Sequence, residues 1–387
     1  MIYMDNAATT KITENVFNEM LPYLRENYGN ASSIYSLGQK SKAAIENSRI
    51  KIAEILKVKP TEIYFTASGS ESDNWVIKET LNQKEKNHII SSKIEHPAIL
   101  NSLKSVEKKV TEYSLISVDK DGFVKLDELS ESIRENTKLI SIMFANNEIG
   151  TIEPIAEISK IARDKNILFH TDAVQAMGNI NFNLKDLDVD MLSISGHKIG
   201  APKGIGILYK KDNVKINPFI NGGEQERSMR ASTENVASIV GIGKAIEDAY
   251  ENIDEDIKYT RELRDYTIEK LLNIDGIILN GSRENRLPGN INITLKNVKP
   301  QTIVQFLDMY DICVSSGSAC AAGSINPSYV LRAIGRSEEE SLSMLRLSLN
   351  RDNTKKECDF VVEKILEGMK KFKSRWWYVG TDFWQRF

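Results

Sequence analysis

Phe169-His170-Thr171-Asp172-Ala173-Val174-Gln175 and Leu192-Ser193-Ile194-Ser195-Gly196-His197-Lys198 are the stretches on which the architecture turns. Each reads as a buried β-strand that delivers polar groups at its C-terminal end, and Lys198 lies 26 positions after Asp172. Similar short apolar runs recur on both sides: Glu62-Ile63-Tyr64-Phe65-Thr66, His88-Ile89-Ile90-Ser91, Leu139-Ile140-Ser141-Ile142-Met143-Phe144, Ile167-Leu168-Phe169-His170, Met191-Leu192-Ser193-Ile194 and Gly206-Ile207-Leu208-Tyr209. Between about residues 14 and 254 they alternate with amphipathic helical segments. Strand–helix alternation with doubly buried runs predicts an α/β fold, a mostly parallel central sheet wrapped by helices. Ligands in such sheets collect at the carboxyl ends of strands, where these polar residues stand.

A long charged helical stretch near residues 236–273 leads into a different pattern. Asn290-Ile291-Asn292-Ile293-Thr294-Leu295 alternates like an antiparallel strand, a helix follows near 300–310, and Ile312-Cys313-Val314-Ser315 is strand-like. Leu345-Arg346-Leu347-Ser348-Leu349 is a further strand and 354–373 an amphipathic helix. The expected organisation is a large domain over 14–254 and a smaller α+β domain made of 1–13 and 255–375. An aromatic tail, 376–387, holds three of the four tryptophans.

Length alone suggests two or three domains in 387 residues. With 51 basic and 54 acidic residues, nothing marks a nucleic-acid surface. The basic cluster Lys370-Lys371-Phe372-Lys373-Ser374-Arg375 reads as a solvated helix end. No apolar stretch reaches the roughly 18 residues that span a bilayer. The N-terminus lacks the basic and apolar regions of a signal peptide, so a cytoplasmic protein without membrane attachment is expected. Cys313, Cys320 and Cys358 are an odd number without metal spacing, and the four histidines include no HExxH pair. Neither a disulfide framework nor a metal site is expected.

The pairing of Lys198 with Asp172 carries the chemistry. A lysine amine and a carboxylate are the two contacts a pyridoxal phosphate enzyme needs, one for a Schiff base and one to keep the pyridine nitrogen protonated. Ser195 and His197 flank the lysine as donors suited to a phosphate. Thr66-Ala67-Ser68-Gly69-Ser70-Glu71 follows a strand and opens a helix, whose N-terminus favours an anion; taken alone, it is an ordinary serine-rich cap. His96, in Glu95-His96-Pro97, is placed to stack on a planar cofactor and move protons, or is a histidine fixed by loop hydrogen bonds. Asn147, in Asn146-Asn147-Glu148, offers an amide to cofactor or substrate, or serves turn chemistry. Cys320 stands in the Gly/Ser/Ala stretch Val314-Ser315-Ser316-Gly317-Ser318-Ala319-Cys320-Ala321-Ala322-Gly323-Ser324, as a travelling nucleophile requires. Cys313 and Cys358 read as packing residues. Arg346 is either a structural ion-pair partner or a bidentate carboxylate clamp.

These segments together resemble the cysteine desulfurases of the NifS/IscS group, in the class V aminotransferase-like branch of fold-type I pyridoxal phosphate enzymes. The likeness runs in order from Tyr3-Met4-Asp5-Asn6-Ala7-Ala8-Thr9-Thr10 to about residue 365. It passes through Tyr28-Gly29-Asn30-Ala31-Ser32-Ser33, Glu95-His96-Pro97, Asn147, Asp172 with Gln175, Ser195 to Lys198, Glu226-Arg227, Arg230 to Asn235 and the Cys320 stretch. The resemblance implies that Lys198 holds the cofactor and abstracts the Cα proton, while Asp172 pairs with the ring nitrogen and Gln175 bonds the ring oxygen. It implies that Gly69, Ser70, Ser195 and His197 hold the phosphate, with Thr233 from the second subunit of a homodimer. His96 would stack on the ring, Asn147 and Arg346 would orient substrate L-cysteine, and Cys320 would take its sulfur as a persulfide and leave alanine. The sulfur would then pass to an acceptor protein, such as an iron–sulfur scaffold or a tRNA-thiolation enzyme.

The chain departs from the family pattern at several positions. Ser232 stands where the family usually carries glycine, Ala31 where it carries proline and Tyr35 where it carries histidine; Gly200-Ala201-Pro202 replaces Tyr-Gly-Pro. The aromatic tail has no counterpart and reads as packing on its own domain or as a docking element. Rival readings are a selenocysteine lyase or another enzyme of this fold, and a non-catalytic scaffold or sulfur-relay protein that kept it.

Overall fold

The computed structural model describes residues 1–80, 87–107, 111–317 and 326–372. The Cys320 stretch from Ser318 to Ser324 and the aromatic tail lie outside the described residues. Among those described, twelve strands form three sheets. In chain order they are β1 (Ile2–Tyr3), β2 (Ile63–Thr66), β3 (Asn87–Ser92), β4 (Thr111–Ile116), β5 (Thr137–Ser141) and β6 (Leu168–Asp172). Then come β7 (Met191–Ser195), β8 (Gly206–Lys210), β9 (Ile277–Leu279), β10 (Asn290–Leu295), β11 (Ile312–Cys313) and β12 (Met344–Ser348).

The large sheet has the order β2-β8-β7-β6-β5-β3-β4. Neighbours from β7 to β4 pair in parallel, whereas β8 runs antiparallel to both β7 and β2. Parallel neighbours need crossovers, and helices α1 (Glu14–Arg25), α2 (Ser36–Leu56), α3 (Gly69–Glu79) and α4 (Pro97–Glu107) are among those that wrap the sheet. Side chains alternate faces along a strand. Ile90, Ile140, Phe169, Leu192, Ile194 and Ile207 join one apolar core, and Ile89, Leu139, Met191 and Leu208 join another with Trp75 of α3 and Ile99 of α4.

On the α3/α4 face each of three strands changes chemistry halfway. Leu139, Leu168 and Met191 are followed two residues later by Ser141, His170 and Ser193, and Asp172 and Ser195 come two residues beyond the latter pair. The N-terminal half of this face is oil and the C-terminal half is polar. That gradient puts the site at the strand ends.

The second sheet, β12-β10-β9, is antiparallel and carries a third core of Ile268, Ile291, Ile293, Leu345, Leu347, Val361 and Ile365, which Met4 enters. β1 pairs in parallel with β11, and the bridges Asp5–Ser348 and Ser315–Arg346 tie both to β12. The N-terminal residues therefore run past β12 before reaching the large sheet.

Three details differ from the sequence reading. The helical stretch of 236–273 is two helices, Val236–Glu251 and Ile253–Leu272, because Asn252 leaves the helical backbone at φ −131° and ψ 33°. The edge strand β4, whose polar residues blur its pattern, the three-residue β9 and the two-residue β1 lie outside the expected runs, the last two because they are too short to show a period. The run Leu139–Phe144 leaves the sheet after Ser141.

Candidate active site

The lysine is held by the chain's own N-terminal segment. Lys198 Nζ donates to the carbonyls of Ala7 at 2.6 Å and Ala8 at 2.7 Å. Ala7 O also accepts from Gln175 Nε2 at 3.1 Å, so Gln175 and Lys198 share one acceptor. His197 Nδ1 meets Thr9 Oγ1 at 3.2 Å, and Thr10 Oγ1 donates to His197 O at 3.0 Å. Burial and the cations Lys198 and Lys203 push the His197 imidazole down to about 4. It is neutral at physiological pH.

Asp172 ends β6 beside Ser193 of β7, its parallel-ladder partner, and accepts from Val174 N–H at 2.9 Å. Burial pushes its carboxyl up, against the pull of His96, the Val174 N–H and Lys198. Burial pushes His96 down, Asp172 opposes that and Lys198 reinforces it. The three groups thus act on one another. His96 Nδ1 accepts from Ala98 N–H at 3.2 Å, which leaves the neutral ring's proton on Nε2.

α3 opens at Gly69 behind the cap Ser68, whose Oγ accepts from Glu71 N–H at 3.1 Å. The amides of Gly69 and Ser70 are in the first turn, where no intrahelical partner exists. Only glycine fits at 69: a Cβ there would stand 2.5 Å from Val174 Cγ2 and 3.3 Å from Ser195 Cβ. The helix start is pressed against the turn after Asp172 and the end of β7. It thereby joins Gly69, Ser70 and Ser195 to the Asp172–Lys198 cluster.

Arg346 lies at the middle of β12 and is only 1% exposed. Nη1 donates to Asn147 O and Nη2 to Asp5 Oδ1, each at 2.9 Å, while Nε has no hydrogen-bond partner among the described residues. Asn147 therefore touches Arg346 through its backbone. The turn itself is built by Asn146, whose Oδ1 accepts from Glu148 and Ile149 N–H. Thr233 stands apart: it is exposed, and among the described residues no hydrogen bond joins it to the others. Ser232, its neighbour, is exposed too. Cys320 lies outside the described residues.

Sequence reading passed over four acids that the fold buries or pairs here. Asp73 of α3 is pushed well up by burial and by the Asp172 charge, with its Oδ1 3.8 Å from His170 Nε2. Glu95 accepts from Ser92 Oγ at 2.6 Å and Met143 N–H at 3.0 Å, and burial raises it to about 8. Glu148 accepts from Ser328 Oγ at 2.5 Å, and Asp5 holds Arg346. The usable signal was an acid adjoining a singled-out residue, as Glu95 adjoins His96 and Glu148 adjoins Asn147. A cavity of about 800 Å³ is lined by Lys198, Asn6, Thr9 and Arg351 but by none of Asp172, His96, Ser70 or Arg346. Only the lysine is shared between cavity and cluster.

The family profile described as Aminotransferase class-V matches residues 2–361. Cysteine desulfurase IscS of Clostridium botulinum is 45% identical over 383 residues, covering 97% of this chain and 96% of the relative. A solved NifS-like protein superposes with a TM-score of 0.90 at 38% identity, covering 96% of this chain and 99% of its own. SspA, solved in complex with cysteine, gives 0.82 at 35% identity, covering 91% and 99%. With the profile spanning nearly all of the sequence and the strand-end cluster in place, the chain belongs to the class V aminotransferase family.

Proposed function

We propose that the chain is a cysteine desulfurase that converts L-cysteine to L-alanine and carries the sulfur away as a persulfide on Cys320. The observation that carries this reading is the meeting of Lys198, Asp172 and His96 at the strand ends, with Arg346 buried nearby against Asn147. The donor set fits pyridoxal 5′-phosphate: an amine, a buried carboxylate, and a helix start whose glycine leaves no room for a Cβ. Gly69, Ser70, Ser195 and His197 would hold the phosphate, Asp172 the ring nitrogen, Gln175 the ring oxygen, and His96 the ring face. When bound, the cofactor supplies an electron sink for the pair released at the substrate Cα.

The protein's residues do the rest. Lys198 holds the cofactor and moves the proton at Cα. Arg346 presents its Nε, which has no hydrogen-bond partner among the described residues, beside Nη2 to the substrate carboxylate, and Asn147 orients the substrate. The Cys320 thiolate attacks the substrate sulfur, so an S–S bond forms as the Cβ–S bond breaks. The carbon keeps the electron pair and takes up a proton to become the methyl group of alanine. Oxidation of sulfur balances reduction of carbon, and no outside oxidant is needed.

The reading includes a homodimer that brings Thr233 to the phosphate across its interface, a sulfur-acceptor protein, and a cytoplasmic setting. No helix among the described residues is long and apolar enough to cross a membrane. It also divides the chain into a large unit, 14–254, and a small one, 1–13 with 255–375; one apolar core lies wholly within the small unit, whereas Val330, Leu331, Ile334 and Met344 of that unit pack into the core of the large one.

The test is alanine and sulfide release from L-cysteine, with selenocysteine assayed in parallel. The purified protein should be yellow, Lys198→Ala should fall by at least about three orders of magnitude, and Cys320→Ser should bind cofactor yet release no sulfur. Near-parent alanine production by Lys198→Ala sinks the assignment, and a strong preference for selenocysteine replaces it with the lyase.

A further inference from the structure

The described residues on both flanks of 318–325 are fastened to the site. On one flank Ser315 pairs with Arg346: Arg346 N–H donates to Ser315 O at 2.7 Å, and Ser315 N–H donates back at 3.1 Å. On the other, Ser328 Oγ donates to Glu148 Oε2 at 2.5 Å and Tyr329 Oη donates to Glu95 O at 2.7 Å. Glu148 follows Asn147 and Glu95 precedes His96. Each anchor lands on a proposed site residue or on its chain neighbour.

The anchoring side is buried and hydrogen-bonded. Glu148 is 2% exposed, and its carbonyl accepts from Asn290 Nδ2 and Asn292 Nδ2 at 3.0 Å each. Burial pushes its carboxyl up, while the Ser328 hydroxyl and Arg346 pull it down. A buried carboxyl is costly unless it is hydrogen-bonded. The blander role for Ser328 is helix capping, since its Oγ accepts from Leu331 N–H at 3.1 Å. A cap uses only the acceptor lone pair. It does not require the hydroxyl proton to reach a buried acid 180 residues away in sequence, nor the next residue's phenol to bond the strand end beside His96.

We propose that Ser328 and Tyr329, through Glu148 and the Glu95 carbonyl, are positioning residues that fix where the Cys320 stretch departs relative to the substrate. They act on sulfur transfer and leave cofactor and substrate binding alone. This rests on the desulfurase reading.

The experiment uses the full-length, cofactor-loaded protein mixed with L-cysteine. One readout is the cysteine-dependent change in visible absorption, with its amplitude and half-saturation. The other is the rate at which Cys320 gains one sulfur, by quenched peptide mass spectrometry. In Ser328→Ala/Tyr329→Phe the first should stay within about twofold and the second should fall at least about tenfold. Ser328→Thr, which keeps the hydroxyl, should behave as the parent. Should the double variant not fold, the same split is required of Tyr329→Phe, which loses a single oxygen. An unchanged sulfur-gain rate overturns the proposal, and so does a fall of both readouts by one factor. A parent protein that never gains sulfur on Cys320 defeats the desulfurase reading itself, and the inference with it.

Discussion

At the scale of the residue, Arg346 has the structural ion pair that sequence reading sets against a carboxylate clamp, and the clamp is the proposed role. Its Nη groups are tied to Asp5 and to the Asn147 carbonyl, while its buried Nε has no partner among the described residues. An ammonium can replace one of those ties but cannot offer a planar fork. Arg346→Lys should therefore raise KM for cysteine by about tenfold or more, with kcat changed less. A lowered Tm at unchanged KM would leave the arginine a purely structural role. Glu95 has a consequence for stability. The folded protein keeps its proton up to about pH 8, whereas an unperturbed glutamate releases it near 4.5. Its contribution is thus fully present below pH 4.5 and is lost as pH rises toward 8, at no more than ~1.4 kcal/mol per pH unit. Glu95→Gln, which has no charge to release, should lose less stability than the parent between pH 5 and 8 in denaturant titrations. Parallel curves would show that Glu95 ionises freely in the folded state.

At the scale of the element, the start of α3 is the most constrained piece of the site. Its first turn is useful for an anion only if the backbone can approach the β6 and β7 ends, and residue 69 sets that approach. Gly69→Ala drives a Cβ to 2.5 Å from Val174 Cγ2, a β-branched side chain with little rotamer freedom. Overpacking of this kind costs about 1–3 kcal/mol. If the helix backs away to relieve it, affinity for pyridoxal phosphate should weaken by about tenfold, the equivalent of ~1.4 kcal/mol. Equilibrium titration of the unloaded protein with the cofactor measures this, and an unchanged affinity with a lowered Tm would mean that α3 does not carry the phosphate.

At the scale of the whole molecule, Thr233 is the proposed site residue that the single chain leaves exposed and apart. A neighbouring subunit would explain both facts. Mixed dimers of Lys198→Ala and Thr233→Asp test it, since one of the two sites would then hold an intact lysine and an intact threonine. Coexpression should restore activity that neither variant has alone, up to about half of the parent's if the two sites are independent. No recovery in verified mixed dimers would place Thr233 outside the partner's site.

The sequence by itself determined what local patterning can express. Apolar runs of strand length separated by helical segments indicated the large sheet. The polar ends of Phe169–Gln175 and Leu192–Lys198 marked the edge on which Asp172, Gln175, His197 and Lys198 are brought together. Alternation in Asn290–Leu295 indicated the second, antiparallel sheet. These are near-neighbour signals, set by side-chain periodicity within a few residues. The tertiary structure alone decided the rest. It turned β8 antiparallel, laid Ala7 and Ala8 across Lys198, set Asp5 on Arg346 across 341 residues, and put Ser328 on Glu148. The partner of a buried charge is whichever group chain closure brings within hydrogen-bond reach. Any acid along the sequence is a candidate until the sheets are packed, because local periodicity says nothing about which distant segments will meet.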